Sequence, residues 1–217
     1  MCFSATVNFT GSAVLGSIGI VTFTHVKHRR ELLFASLPTL FAVHQFIEGF
    51  VWLGLDGHYS PTATHNWAAA FMLYAQGLLP LLLPLSVYLF EAHAQSRRFM
   101  LPFVAVGCAT ALYILWALTA FPTEVYVRGK SIVYLNQATN NLAVAVLYVI
   151  VTCGPLFFSK IKMMVVFGAA NLAVLLVVMV IRRYAFTSLW CAYAAVASII
   201  ILAYFWKSME ERPFRYV

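Results

Sequence analysis

Charge is what this chain has least of. Only 10% of its 217 residues are charged, and just seven are acidic, whereas soluble domains carry roughly a quarter charged residues. With 63% hydrophobic residues and a mean hydropathy of +0.86, a water-soluble globule is excluded and an integral membrane protein is indicated. No CxxC pair is present, so local spacing marks no thiol metal or redox site. No basic residue precedes the first apolar segment, and its nearest charges, Lys27 to Arg30, follow it. That is the reverse of a signal peptide's polarity, so the segment is expected to stay as a helix and the opening MCFSA to be retained.

Apolar segments run near Ala5 to Thr24, Leu32 to Gly54, His65 to Phe90, Phe99 to Phe121, Gln137 to Phe158, Met163 to Ile181 and Thr187 to Trp206. A span needs roughly 20 residues, so the reading is all-α: a single seven-helix transmembrane domain over residues 1–217, with no soluble domain left over. The connections are short except for PTEVYVRGKSIVYLN, where VYVRGKSIVY predicts a hairpin turning near Gly129 and Lys130. Pro80 and Pro84 are expected to bend the third helix. Trp52, Trp67 and Trp190 read as an aromatic belt at one boundary and Trp206 at the other. Cys108 and Cys153 read as small core residues.

Orientation follows from the basic residues, because short cytoplasmic loops carry the Lys/Arg excess. With the N-terminus outside, Lys27, Arg29, Arg30, Arg97, Arg98, Lys160, Lys162, Lys207, Arg212 and Arg215 are cytoplasmic, against Arg128, Lys130, Arg182 and Arg183 outside. Ten against four predicts N-terminus out and C-terminus cytoplasmic, in the cell (inner) membrane. The net charge of +7 is then an orientation signal, and no nucleic-acid partner is expected.

Within this apolar background His44 and Glu48 stand one helical turn apart on a shared face. Ionisable residues inside hydrocarbon usually face a protein interior and carry function. At 1.5 Å per residue His44 falls near the midplane and Glu48 roughly 6 Å nearer the outer surface. The same reckoning puts Gln76 near the midplane, Asn140 and Asn141 near the depth of Glu48, and Cys191 just below the outer surface, on the side where Cys2 precedes the first helix. A pocket open to the outside and lined by these residues is expected.

Three chemistries fit the pair. His44 and Glu48 can ligate zinc or another transition metal, joined by the thiolates of Cys2 or Cys191. They can form a proton-transfer couple in which both are catalytic. They can also belong to an interhelical hydrogen-bonded network that fixes the bundle. Cys2 and Cys191 can equally form a disulfide.

The opening MCFSA, RRELLFASLPTLFAVHQFIEGFVWLGL, QGLLPLLLPLSV, LYILWAL, CGPLFFS, FGAANL and FTSLWCAYAAVASI together resemble a bacterial family of uncharacterised multi-pass membrane proteins with an MCFSA start and an HQxIEGxVW motif. The resemblance covers nearly the whole chain. It implies that the family's polar motifs fall on Cys2, Ser4, His44, Gln45, Glu48, Gln76 and Cys191, which adds Gln45 to the pocket lining.

Other seven-helix families fit poorly. A retinal protein needs a Lys inside its last helix, but Lys207 stands at its end. The zinc-dependent ceramidase and progestin-receptor group needs late histidines, and no His follows His93. Two functional classes remain. One is a metal-dependent membrane enzyme with water activated at an open coordination position. The other is a non-enzymatic bundle, either a proton or small-molecule pathway or an accessory subunit. Its partners would be the lipid bilayer, other membrane helices or further copies of itself.

Overall fold

A computed structural model describes the backbone at residues 4–181 and 186–210, and side chains at 4–176 and 194–207. The protein is mostly helical. Helix α1 (Ala5–Thr24) begins at Ser4, whose side chain accepts from the Val7 N–H. A tight turn at Arg29–Glu31 follows. There the Glu31 carboxylate accepts from the N–H groups of Lys27 and His28 at 3.0 and 3.2 Å, which caps the exposed turn. Helix α2 (Leu32–Ala35) stops after one turn because Pro38 has no N–H for the Phe34 carbonyl. Helix α3 (Leu37–Leu55) then resumes the span.

Helix α4 (Pro61–Met72) opens on the Ser60 cap with Pro61 in its first turn. The helix then widens into a π-helical turn at Leu73–Leu78 before α5 (Leu79–Phe90). Pro80 explains the widening: it offers no N–H to the Gln76 carbonyl and its ring crowds that carbonyl, so the α ladder cannot pass unchanged. The expected bend is thus a change of helical register. Helix α6 (Ala94–Ala120) leads into the hairpin β1 (Thr123–Arg128) and β2 (Ser131–Asn136). The strands pair antiparallel with Val125 opposite Tyr134 and Arg128 opposite Ser131. Gly129 alone takes a positive φ of 65° in this two-residue connection, the pattern of a type II′ turn. Helices α7 (Leu142–Phe157), α8 (Lys162–Ile181) and α9 (Phe186–Glu210) complete the chain.

Four helical segments are long and apolar enough to cross a membrane: Ala5–Thr24, Arg29–Leu55, Pro61–Phe90 and Ala94–Ala120. Leu142–Phe157, Lys162–Leu176 and Ala194–Lys207 are shorter apolar stretches among the described residues. α1 and α3 form the closest pair. Ser12 donates to the Ala42 carbonyl at 2.8 Å, and Gly19 lies directly against Thr39. Small residues permit this approach, as they do between membrane helices generally.

Among the described residues, two apolar clusters fill the interior. One gathers Leu15, Phe34, Phe41, Leu83, Phe167 and Ile201. The other, at the hairpin end, gathers Val51, Trp52, Phe71, Met72, Ile132 and Tyr134. Trp52 is therefore a buried core residue and not a boundary anchor, because its position on α3 turns it inward. Cys153 is buried and accepts from Asn171 Nδ2 at 3.4 Å. Cys108, expected in the core, is exposed on α6.

Candidate functional site

α3 passes from one apolar cluster into the other, since Phe41 and Ala42 belong to the first and Val51 and Trp52 to the second. Between them stand three buried polar side chains, His44, Gln45 and Glu48, none more than 1% exposed. Helical spacing sorts them. Gln45, Glu48 and Trp52 lie three and four residues apart and share one face, while His44 sits on the flank beside it.

The His44 ring is set in an aromatic column. Its centroid lies 4.3 Å from Phe71 and 5.4 Å from Tyr74, both stacked. Phe71 stacks in turn on Tyr134 of the hairpin at 4.6 Å. The Tyr74 hydroxyl donates to the Leu40 carbonyl at 2.7 Å, tying the column back to α3. Tyr74 belongs to the π-helical turn, a type of irregularity that recurs at functional sites.

The neighbouring face of α3 is short of partners. Among the described residues, neither Oε1 nor Nε2 of Gln45 has a hydrogen-bond partner, nor do Asn8 Oδ1, Trp52 Nε1 and Gln76 Oε1. Asn8 Nδ2 donates to the Ser4 carbonyl at 3.2 Å, which identifies the other end of that amide as its oxygen. Phe9 lies against Gly49 and Gly19 against Thr39, an antiparallel register that puts Asn8 at a depth between Glu48 and Trp52. Asn8, Leu15 and Thr22, all buried, recur every seven residues and so form one stripe of α1. Leu15 shares its cluster with Ala194, Ala197 and Ile201 of α9, and α9 packs on both α1 and α3. By helical spacing, Asn8 on α1 and Gln45, Glu48 and Trp52 on α3 stand at neighbouring depths in the part of the bundle where α1, α3 and α9 pack on one another. Each buried unpartnered group costs about 1–3 kcal/mol, so the accumulation of the Asn8, Gln45 and Trp52 groups at neighbouring depths calls for an explanation other than stability.

The other expected site residues fall elsewhere. Gln76 is half-buried on the π-helical turn. Asn141 caps α7, accepting from the Val144 N–H at 2.9 Å and donating to the Ala138 carbonyl. Asn140 is exposed and, with Glu124, Asn136 and Gln137, lines a separate surface pocket of about 260 Å³ beside the hairpin. Cys2 and the Cys191 side chain lie outside the described residues. Among the described residues no group of three His, Cys, Asp or Glu side chains is placed to hold a metal ion. Asn8 escaped the sequence reading, although an Asn within the first apolar segment was an available signal, and Trp52 was read only as a boundary residue.

The chain belongs to DUF6629, a family of unknown function. The match to that family spans residues 1–215. No curated protein and no solved structure matches the chain.

At the opposite end of the bundle a second buried carboxylate holds two loops together. Glu91 follows α5 and is 2% exposed. Its Oε1 accepts from the His93 N–H at 3.0 Å and lies 2.9 Å from His93 Nδ1. Its Oε2 accepts from the Ser159 hydroxyl at 2.8 Å and the Lys160 N–H at 3.0 Å. Burial pushes this carboxyl up, but the backbone N–H groups of His93 and Lys160 and the side chains of His93 and Ser159 outweigh it and hold it at about 2. No sequence signal had singled out Glu91.

Proposed function

We propose that the protein is a seven-span, N-out membrane bundle whose outward half binds a small polar solute, the binding step of a non-enzymatic small-molecule or proton pathway. Gln45 carries this reading. A fully buried amide with donor and acceptor both unpartnered among the described residues suits a solute that supplies both, and Asn8, Glu48 and Trp52 stand at neighbouring depths. The basic residues favour N-out by ten to four, and that orientation puts the hairpin end outside.

The reading is tested by Gln45→Met, which keeps the volume and removes the amide. A group retained for a solute is a burden to the fold, so Gln45→Met should raise thermal stability by roughly 1–2 kcal/mol. Destabilisation by a similar amount would mean that the amide belongs to a structural network, and the reading would fall.

A second reading keeps the metal, on the observation that His44 and Glu48 are both buried one turn apart. The two supply a nitrogen and an oxygen ligand, with Cys2 or Cys191 as the further donors and zinc-like hydrolytic or hydration chemistry as the outcome. It expects stoichiometric transition metal in protein purified without chelators, and loss of that metal in His44→Ala. Metal-free wild-type protein would remove it.

A further inference from the structure

The end of the bundle opposite the hairpin carries cations without counter-ions. Arg97, Arg98 and Lys160 have no carboxylate partner among the described residues, and Arg98 and Lys160 are exposed. The two arginines fall in and just after the first turn of α6, where the helix dipole disfavours positive charge, so helix stability does not account for them. Arg97 is already held in place. Its guanidinium carbon lies 4.5 Å from the centre of the Tyr88 ring of α5, and its Nε is buried with no hydrogen-bond partner among the described residues.

Two contacts bring these charges beside one apolar patch. The Glu91 carboxylate accepts from the N–H groups of His93 and Lys160, each at 3.0 Å, which sets the start of α6 against the loop after α7. Phe99 of α6 stacks on Phe158 at 5.8 Å, and Phe103 lies 5.7 Å from the same ring. Phe99 and Phe158 are nevertheless 54% and 43% exposed. Arg98 adjoins Phe99 and Lys160 comes two residues after Phe158, so cations border the patch. Pro61–Phe90 and Ala94–Ala120 are each long and apolar enough to cross a membrane, which puts the connection between them at a membrane surface. There, exposed aromatic rings suit an acyl chain and the neighbouring cations suit a phosphate. A zwitterionic headgroup also brings an ammonium, but the two carboxylates described at this end, Glu31 and Glu91, already accept backbone N–H groups.

We propose that the cleft between the start of α6 and the loop after α7 binds an anionic phospholipid, its headgroup phosphate on Arg97, Arg98 and Lys160 and an acyl chain on Phe99 and Phe158. This requires α5 and α6 to cross the membrane, but neither the solute nor the metal, so it stands or falls separately from them.

The full chain in neutral detergent is titrated with phosphatidylglycerol, with phosphatidylcholine of the same acyl chains, and with inorganic phosphate, all at constant ionic strength. A saturable rise in thermal midpoint is expected with phosphatidylglycerol alone. Arg98→Gln and Lys160→Gln, both at exposed positions, should each weaken the apparent affinity about threefold or more, and about tenfold or more together. Phe99→Ala should weaken it too. Lys27→Gln separates a site from diffuse surface charge: Lys27 stands at the same end but follows α1, which packs on α3 and α9, and its loss should leave the response unchanged. Equal shifts with the two lipids would overturn the proposal, as would a response that survives the Arg98 and Lys160 double variant or falls as much in Lys27→Gln as in either single one. A full response to inorganic phosphate would mean a free anion in place of a lipid, and the proposal would fall.

Discussion

Gly107→Val should destabilise the protein by at least about 3 kcal/mol, the upper range for forcing volume into a closed interface. A Cβ at position 107 would lie on the Pro80 carbonyl oxygen, 3.0 Å from the Pro80 carbonyl carbon and 3.2 Å from the Leu81 Cα. All three are backbone atoms, so no side-chain rotation relieves the clash. The contact arises at a place already marked by proline, since Pro84 has no N–H to offer the Pro80 carbonyl four residues back. Gly107 lets α6 come against that bared stretch of α5, and any side chain pries the two helices apart. Gly11→Ala is the matched control: nothing lies within 4 Å of the added carbon, and a Gly→Ala exchange inside a helix gains up to about 1 kcal/mol where the methyl has room. Thermal unfolding of the two variants should therefore move in opposite directions. A Gly107→Ala protein as stable as the wild type would show that α5 and α6 are not packed as described.

Loss of the Glu91 carboxylate is the second large effect. Glu91→Gln places an amide NH2 against donors that both carboxylate oxygens now satisfy, on one side the two His93 contacts and on the other Ser159 and Lys160. Breaking a buried charge-assisted network of this kind costs about 3–5 kcal/mol. The same arrangement fixes the pH dependence. The carboxyl is held at about 2 in the folded protein against 4.5 ordinarily. Its folded value is the lower of the two, so its contribution is complete above pH 4.5 and is lost as the pH falls from there towards 2. Melting temperature measured across that window should fall in the wild type and stay flatter in Glu91→Gln. Equal slopes in the two proteins would mean that Glu91 does not clasp the loop after α5 to the loop after α7.

The helices and hairpin were largely legible in the sequence because they rest on local rules. A run of apolar residues between polar turns gives a helix whatever its neighbours, and the first segment, Ala5–Thr24, coincides with α1. Gly129 next to Lys130, between β-branched and aromatic residues, already specified the turn of the hairpin. His44 and Glu48 were visible for a similar reason: an ionisable residue in an apolar run is conspicuous without any partner. Gln45 and Asn8 were less so, because an amide is common and harmless wherever it finds a hydrogen bond. Only packing shows that it has not found one. Trp52 went astray for the opposite reason, since depth along a helix does not say which way a side chain points, and position 52 turns inward. Asn141, expected to line the pocket, caps α7, and a cap and a pocket residue differ only in what their oxygen faces.

What the sequence determined alone was a charge-poor helical chain with segments long and apolar enough to cross a membrane, the hairpin and the unusual pair on the second long apolar segment, all of them consequences of composition and spacing within a few residues. The tertiary structure decided which buried polar atoms lack partners among the described residues, why α4 widens before Pro80, and that Glu91 bridges segments 68 and 69 residues apart. These depend on how helices distant in the chain are turned towards one another. Hydrogen-bond satisfaction and close packing are relations between surfaces, and a one-dimensional pattern records only one side of each.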